Sequence, residues 1–262
     1  MNLDLQNKQA LVCGSTQGIG KAAAMELASL GANVTLVARD ENILKQVVNE
    51  LPNDGKQKHL YIVADFNYMN ELKTKVQKHI EQNGTIHILV NNTGGPLAGN
   101  IAGAETEQFL QAFNNHLLCN HVLMQACLEG MKAAFYGRII NIISTSVKQP
   151  LKGLGVSNTI RAAVANWAKT LSAEVARYGV TVNNVLPGAT DTIRLTQIIE
   201  DKSKKTGKSF TDISREMMAE VPAARFAKPE EIANAIAFLA SPAAAYINGI
   251  NLPVDGGRTQ CL

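Results

Sequence analysis

The sequence predicts an α/β protein built on one doubly wound parallel sheet of about seven strands, with helices on both faces. Three observations carry this. Short apolar or β-branched runs alternate with longer segments of helical period along the chain, no repeat, low-complexity tract or linker divides its 262 residues, and a glycine-rich turn follows directly on the first apolar run. The unbroken rhythm predicts a single domain over residues 1–262, long enough to bury a large core.

The elements follow in order. A first strand at Gln9–Cys13 runs into the glycine turn and then a helix over Gly18–Leu30. The β-branched run Asn33–Ala38 predicts the second strand, followed by a helix at Glu41–Glu50. A strand at His59–Ala64, a helix at Met69–Gln82 and a strand at His87–Asn91 repeat the pattern. Glu105–Phe135 has helical period but exceeds the usual helix length without an internal cap, so it reads as two helices. Strands at Arg138–Ile143, Thr181–Leu186 and Gly249–Val254 complete the sheet, with helices at Val156–Tyr178 and Pro229–Leu239 between them. One segment departs from the alternation. Residues 192–223, from Thr192 to Ala223, are polar, Lys-rich and Met-containing, and they lie between the sixth strand and the last helix. Ligands of open α/β sheets bind beyond the carboxyl ends of the strands, so an insertion there is placed to cover a substrate; the alternative is a plain surface excursion.

Composition excludes several classes. Hydrophobic residues at 46% and charged residues at 18% describe an ordinary globular protein. A net charge of +3, with no basic block beyond Lys202, Lys204 and Lys205, argues against a nucleic-acid partner. Cys13, Cys119, Cys127 and Cys261 show no metal-ligand spacing and read as reduced thiols, so no metal site is expected. Met1–Lys8 lacks the basic start and apolar run of a signal peptide, and no apolar run is long enough to span a bilayer. A cytoplasmic protein without a membrane partner is the expectation.

The glycine turn reads Gly14-Ser15-Thr16-Gln17-Gly18-Ile19-Gly20, set between a strand and a helix. Glycines there let the backbone approach a pyrophosphate, whose charge meets free N–H groups and the positive end of the helix. Arg39 ends the second strand, where an acidic residue would bind the ribose hydroxyls of NAD. A cation suits a 2′-phosphate instead, so NADP(H) is the preferred cofactor and NAD(H) a possible one. Arg39 as a simple surface charge is the other reading.

The spacing of Gly14, Gly18 and Gly20 resembles the Thr-Gly-x-x-x-Gly-x-Gly pattern of the short-chain dehydrogenases/reductases, with Cys13 in place of the Thr. Further marks of that family follow along nearly the whole chain: Ala64-Asp65, Asn91-Asn92-Thr93-Gly94, Gly137-Arg138-Ile139-Ile140-Asn141, Pro187-Gly188 with Thr192, and Pro229 through Gly257. The last block resembles the C-terminus of β-ketoacyl-carrier-protein reductases. The resemblance implies a Rossmann-type fold and a homotetramer. It further implies that Asp65, followed by Phe66, meets the adenine, that Asn92, Thr93 and Gly94 line the cofactor cleft, and that Pro187, Gly188 and Thr192 hold the carboxamide.

Carried onto this chain, the family's catalytic Ser falls at Ser144, but its Tyr and Lys fall at Ser157 and Arg161 and its helix Asn at His116. Matching residues on both sides, from Asn141 to Asn183, leave no room for a gap. A phenol beside a cation can pass a proton at neutral pH, whereas a Ser hydroxyl does this poorly and an Arg stays protonated. His116 is the one replacement expected to titrate near neutral pH, unless it is simply a hydrogen-bonded helix residue. Ser157-Asn158-x-x-Arg161 together with Asn92-Thr93-Gly94-Gly95-Pro96 resembles a distinct subset of ketoacyl-reductase-like proteins. The expected function is NADP-dependent oxidoreduction of a small-molecule carbonyl or alcohol. A non-enzymatic NADP-binding protein and a reductase of quinone-like substrates remain the alternatives.

Overall fold

The computed structural model describes residues 1–261. Seven strands form one sheet in the order β3-β2-β1-β4-β5-β6-β7, and every pairing is parallel. They are β1 (Gln9–Cys13), β2 (Asn33–Ala38), β3 (Leu60–Val63), β4 (Ile88–Asn91), β5 (Gly137–Ile142), β6 (Val180–Pro187) and β7 (Asn251–Val254). The long helices are α1 (Gly18–Ser29), α2 (Glu41–Glu50), α3 (Met69–Asn83), α4 (Thr106–Phe113), α5 (Cys119–Ala133), α6 (Gly155–Val175), α7 (Ile193–Thr206), α8 (Phe210–Ala219) and α9 (Pro229–Ala240).

Alternation along the strands divides the core into two layers. Ala10 and Val12 of β1 face α1 and α9, with Leu27, Ile232 and Ile236, while Leu11 and Cys13 face α3 and α5, with Leu72, Val76 and Leu123. Strands covered on both faces read as continuous apolar runs, which is why β1 and β2 were visible as blocks of Leu, Val and Ala. Strand order reverses between β1 and β4, so the carboxyl ends of these two strands open the crevice that such sheets use for ligands.

Two segments were read only coarsely from the sequence. Glu105–Phe135 does hold two helices, but the join is a wide π turn, Asn114–Leu118, that keeps the helical path instead of ending it with a cap. Residues 192–223, to which no helix was assigned from the sequence, are largely helical. They fold as α7 and α8, started by Thr192 and Ser209 as side-chain caps, and pack Leu195 and Ile199 against Ile213 and Met217. Among the described residues, no helix is long and apolar enough to cross a membrane. Cys13, Cys119 and Cys127 are buried free thiols and Cys261 is an exposed one.

Candidate functional site

The turn after β1 depends on glycine at two positions. Gly14 has φ +59°, a left-handed conformation that side chains rarely adopt, and a Cβ on Gly20 would lie 2.1 Å from the Gly14 carbonyl oxygen. Asn92 Nδ2, from the segment after β4, donates to the carbonyls of Cys13 (3.3 Å) and Gly14 (3.2 Å) and holds the loop in place. Gln17, at the N-cap of α1, makes no side-chain bond to the first N–H groups, and no acidic residue occupies the first turn. A concave backbone with open N–H donors at the positive end of a helix fits a dinucleotide pyrophosphate. Ser15 serves the loop itself: it is buried, and its Oγ accepts from the Val37 N–H at 3.1 Å, tying the turn to β2.

Around this cradle, Arg39 and Asp65 follow the carboxyl ends of β2 and β3, on the same sheet edge. Arg39 is exposed and makes no hydrogen bond or ion pair among the described residues, whereas its neighbour Asp40 is committed as the N-cap of α2, accepting from the N–H groups of Asn42 (2.9 Å) and Ile43 (3.1 Å). The carboxylate adjacent to Arg39 in sequence is therefore engaged as a cap, and a cation is what this strand end offers. Phe66 is buried and its carbonyl accepts from Asn114 Nδ2 (3.0 Å) and Cys119 Sγ (3.2 Å), fixing the Asp65 turn against the π turn. Thr93 is half-buried and Gly94 exposed beside the cradle. Gly188 follows β6 and is bonded to Val254 O at 2.9 Å, where a Cβ would meet Asp255 Cα at 2.7 Å, so Pro187-Gly188 is pressed against the chain after β7. Thr192, the N-cap of α7, brings its methyl within 3.1 Å of the Cβ position of Gly18, so the start of α7 closes over the glycine turn.

The second half of the site surrounds Arg161. Ser144 follows β5, half-buried, and its Oγ accepts from the Ser146 N–H at 3.1 Å. Arg161 on α6 is buried, at 8% exposure; Nη1 donates to the Ile142 carbonyl at 2.8 Å, and Nε has no partner. Ser157 is half-buried one turn earlier on the same helix. Burial, and then the neighbouring Arg194, lower the Arg161 pKa to about 10, which leaves it cationic at neutral pH. His116, in the π turn, is 3% exposed. Burial, and then the Arg161 charge, lower its pKa to about 2. This corrects the expectation that His116 titrates near neutrality: an imidazole taken out of water beside a guanidinium stays neutral.

Sequence reasoning missed two features. Arg194, near the start of α7, donates from Nη2 to the Pro96 carbonyl at 2.7 Å, and so joins α7 to the segment after β4. Three buried asparagines and the half-buried Asn251 also form a ladder across four strands: Asn91 donates to Asn141 (2.9 Å), Asn141 to Asn184 (2.9 Å) and Asn184 to Asn251 (2.8 Å). Their register, Asn91↔Asn141↔Asn184↔Asn251, was recoverable only once the strands were aligned. Beyond Ser144, a cleft of about 240 Å³ is bounded by Thr145, Gln149 and Leu151 on one side and by Glu220 and Arg258, an ion pair, on the other. No cluster of His, Cys, Asp and Glu able to hold a metal occurs among the described residues.

Comparison with known proteins agrees with this architecture. A family model described as Enoyl-(Acyl carrier protein) reductase matches residues 14–259. The 3-oxoacyl-[acyl-carrier-protein] reductase FabG of Vibrio cholerae serotype O1 is 34% identical over 257 residues, 97% of this chain and 98% of its own length. The L-sorbose reductase of Gluconobacter frateurii, solved with NADPH and L-sorbose, superposes with a TM-score of 0.93 at 30% identity and full coverage of both chains (100% of each). A variant actinorhodin polyketide ketoreductase solved with NADPH gives a TM-score of 0.90 at 31% identity, with 97% of each chain covered. The chain belongs to the short-chain dehydrogenase/reductase family of NAD(P)-dependent oxidoreductases, with its relatives among the 3-oxoacyl-carrier-protein reductases.

Proposed function

We propose that this protein reduces a carbonyl group of a small-molecule substrate with NADPH, at a site where Ser157 stands in the phenol's position and the Arg161 guanidinium stabilises the substrate oxygen. The observation that carries the reading is the pairing of an open phosphate cradle and an unpartnered Arg39 with a buried, cationic Arg161 along one sheet edge. In this reading Gly14, Gly18 and Gly20 admit the pyrophosphate, with the Thr16, Gln17 and Ile19 backbone beside them, and Arg39 takes the 2′-phosphate. Asp65 with Phe66 bounds the adenine pocket, Asn92, Thr93 and Gly94 line the cleft, and Pro187, Gly188 and Thr192 hold the nicotinamide carboxamide. The nicotinamide, when bound, supplies the hydride.

The remaining work falls to the chain's own residues. Arg161 donates to the substrate oxygen as negative charge develops there, and preorganised donors of this kind contribute about 2.7–4 kcal/mol. Ser144 and Ser157 add neutral hydrogen bonds, worth roughly 0.5–1.5 kcal/mol each. Neutral His116 packs beside Arg161 and helps keep water from it, and the proton that completes the alcohol comes from solvent. Helices α7 and α8 cover the substrate, a reading supported by Thr192 closing on the glycine turn and by Glu220 at the cleft beside Thr145.

A second reading, an NADP-binding protein without turnover, is favoured by Ser157 standing where the family has its phenol. A screen of carbonyl, alcohol and quinone substrates with NADPH and NADP+, followed by nicotinamide absorbance, separates the two. Carbonyl-dependent NADPH oxidation is expected; binding without turnover on any substrate would favour the second reading, and turnover confined to quinones would replace the substrate class.

A further inference from the structure

We infer that Arg161 and Arg194 form a carboxylate subsite, so that the substrate is an oxo acid whose carboxylate lies close to the carbonyl being reduced. The inference rests on the reductase reading and adds the substrate class to it. The Nη2 atoms of the two arginines lie 3.7 and 3.9 Å from one point, the position a Cβ would take on Gly95. Neither arginine joins any ion pair among the described residues. Two guanidiniums have thus been brought to one place, one of them buried with an unpaired Nε, and no acidic side chain balances them.

Like charges gathered in a partly dry site repel, and an anionic ligand removes that cost. A guanidinium presents N–H donors in a planar fork that matches the two oxygens of a carboxylate. Each arginine is aimed by a single backbone carbonyl, Ile142 for Arg161 and Pro96 for Arg194, which leaves further N–H groups for a ligand. Gly95 needs no positive φ and has no neighbour closer to its Cβ position than these two nitrogens. A side chain there would stand against both guanidiniums, and its absence leaves the approach to them open. The cofactor's own anions have other partners, in the glycine turn and at Arg39.

The test compares 2-oxo and 3-oxo acids with their methyl esters as substrates for NADPH oxidation, and titrates oxamate and malonate onto the NADP+ complex by calorimetry. Wild type, Arg194→Met, Arg194→Lys and Gly95→Ala are measured, with NADPH affinity determined for each. We expect the wild type to prefer acids over esters by about tenfold or more in kcat/KM. Arg194→Met should lower kcat/KM for the acids by roughly 10- to 100-fold, the worth of a lost hydrogen bond to a charged group, and leave the esters nearly unchanged. Arg194→Lys should restore part of the preference, and Gly95→Ala, which clashes with nothing, should weaken oxamate and malonate binding. Equal treatment of acids and esters would overturn the proposal. So would a loss of NADPH affinity in Arg194→Met as large as the loss for acids, which would assign the pair to the cofactor's pyrophosphate. Binding of oxamate or malonate that depends on Arg194, without turnover of any substrate, would uphold the subsite and overturn the reductase reading alone. Neither binding nor turnover would overturn the subsite as well.

Discussion

His116 should make the protein acid-sensitive without shaping its activity profile, and His116→Asn separates these two effects. The unfolded chain binds a proton at this residue below the ordinary histidine value of 6.5, whereas the folded protein resists protonation down to about 2. Below pH 6.5 the unfolded state therefore holds the extra proton, and stability falls as pH falls. Each pH unit costs up to about 1.4 kcal/mol, so between pH 6.5 and 4.5 His116 alone removes roughly 2–3 kcal/mol. Urea unfolding of wild type and His116→Asn at pH 6.5, 5.5 and 4.5 measures this directly. His59, His79 and His87, whose pKa values burial also lowers, contribute equally to both proteins and cancel. The wild type should lose roughly 2–3 kcal/mol more than the variant over that range. Parallel losses would refute the reasoning. A reductase rate that falls through neutral pH in the wild type and becomes flat in the variant would refute it too, because it would make His116 a titrating donor.

Arg39→Ala should narrow the preference for NADPH over NADH by roughly 10- to 100-fold, the range for a charged hydrogen-bonding partner, as read from fluorescence titration of both cofactors; an unchanged ratio would remove Arg39 from the site. Asn141→Leu should cost about 2–6 kcal/mol in urea unfolding, because it leaves the Asn91 amide and the Asn184 carbonyl oxygen buried without partners. A loss below about 1 kcal/mol would mean that water replaces the ladder, since a lost bond that is remade costs little.

The legible parts of this chain are those governed by local rules. β1, β2 and α2 occur at their expected bounds, Gln9–Cys13, Asn33–Ala38 and Glu41–Glu50, because fully covered strands are unbroken apolar runs and the glycine turn marks where the first one stops. Helix α7 was obscured by the exposed Lys202, Lys204 and Lys205, and α8 by the exposed charges of Asp212, Arg215 and Glu216. The signals were present nonetheless: Thr192 and Ser209 as caps, Gly207 in a left-handed C-cap, and Leu195/Ile199 and Ile213/Met217 at a spacing of one helical turn. At the site, residue types were readable but surroundings were not. Asp40, next to Arg39 in sequence, has its oxygen committed to capping α2, and Ser15 sits in the motif yet turns its hydroxyl into the sheet. His116 was recognisable as titratable, while its burial beside Arg161 depends on α6 packing against the π turn. The pairing of Arg161 with Arg194 is the least local feature, created by the segment around Gly95 passing between α6 and α7.

In the proposed reaction Arg161, and not a phenol, stabilises the oxygen of the carbonyl that receives the hydride. Single-turnover consumption of bound NADPH by a carbonyl substrate, compared between wild type, Arg161→Met and Ser157→Ala, reads this role. Loss of about 2.7–4 kcal/mol predicts a rate lower by roughly a hundredfold or more in Arg161→Met, against about tenfold in Ser157→Ala. A rate indifferent to Arg161→Met, or tightly bound NADPH that no substrate oxidises in the wild type, would rule out this role for Arg161.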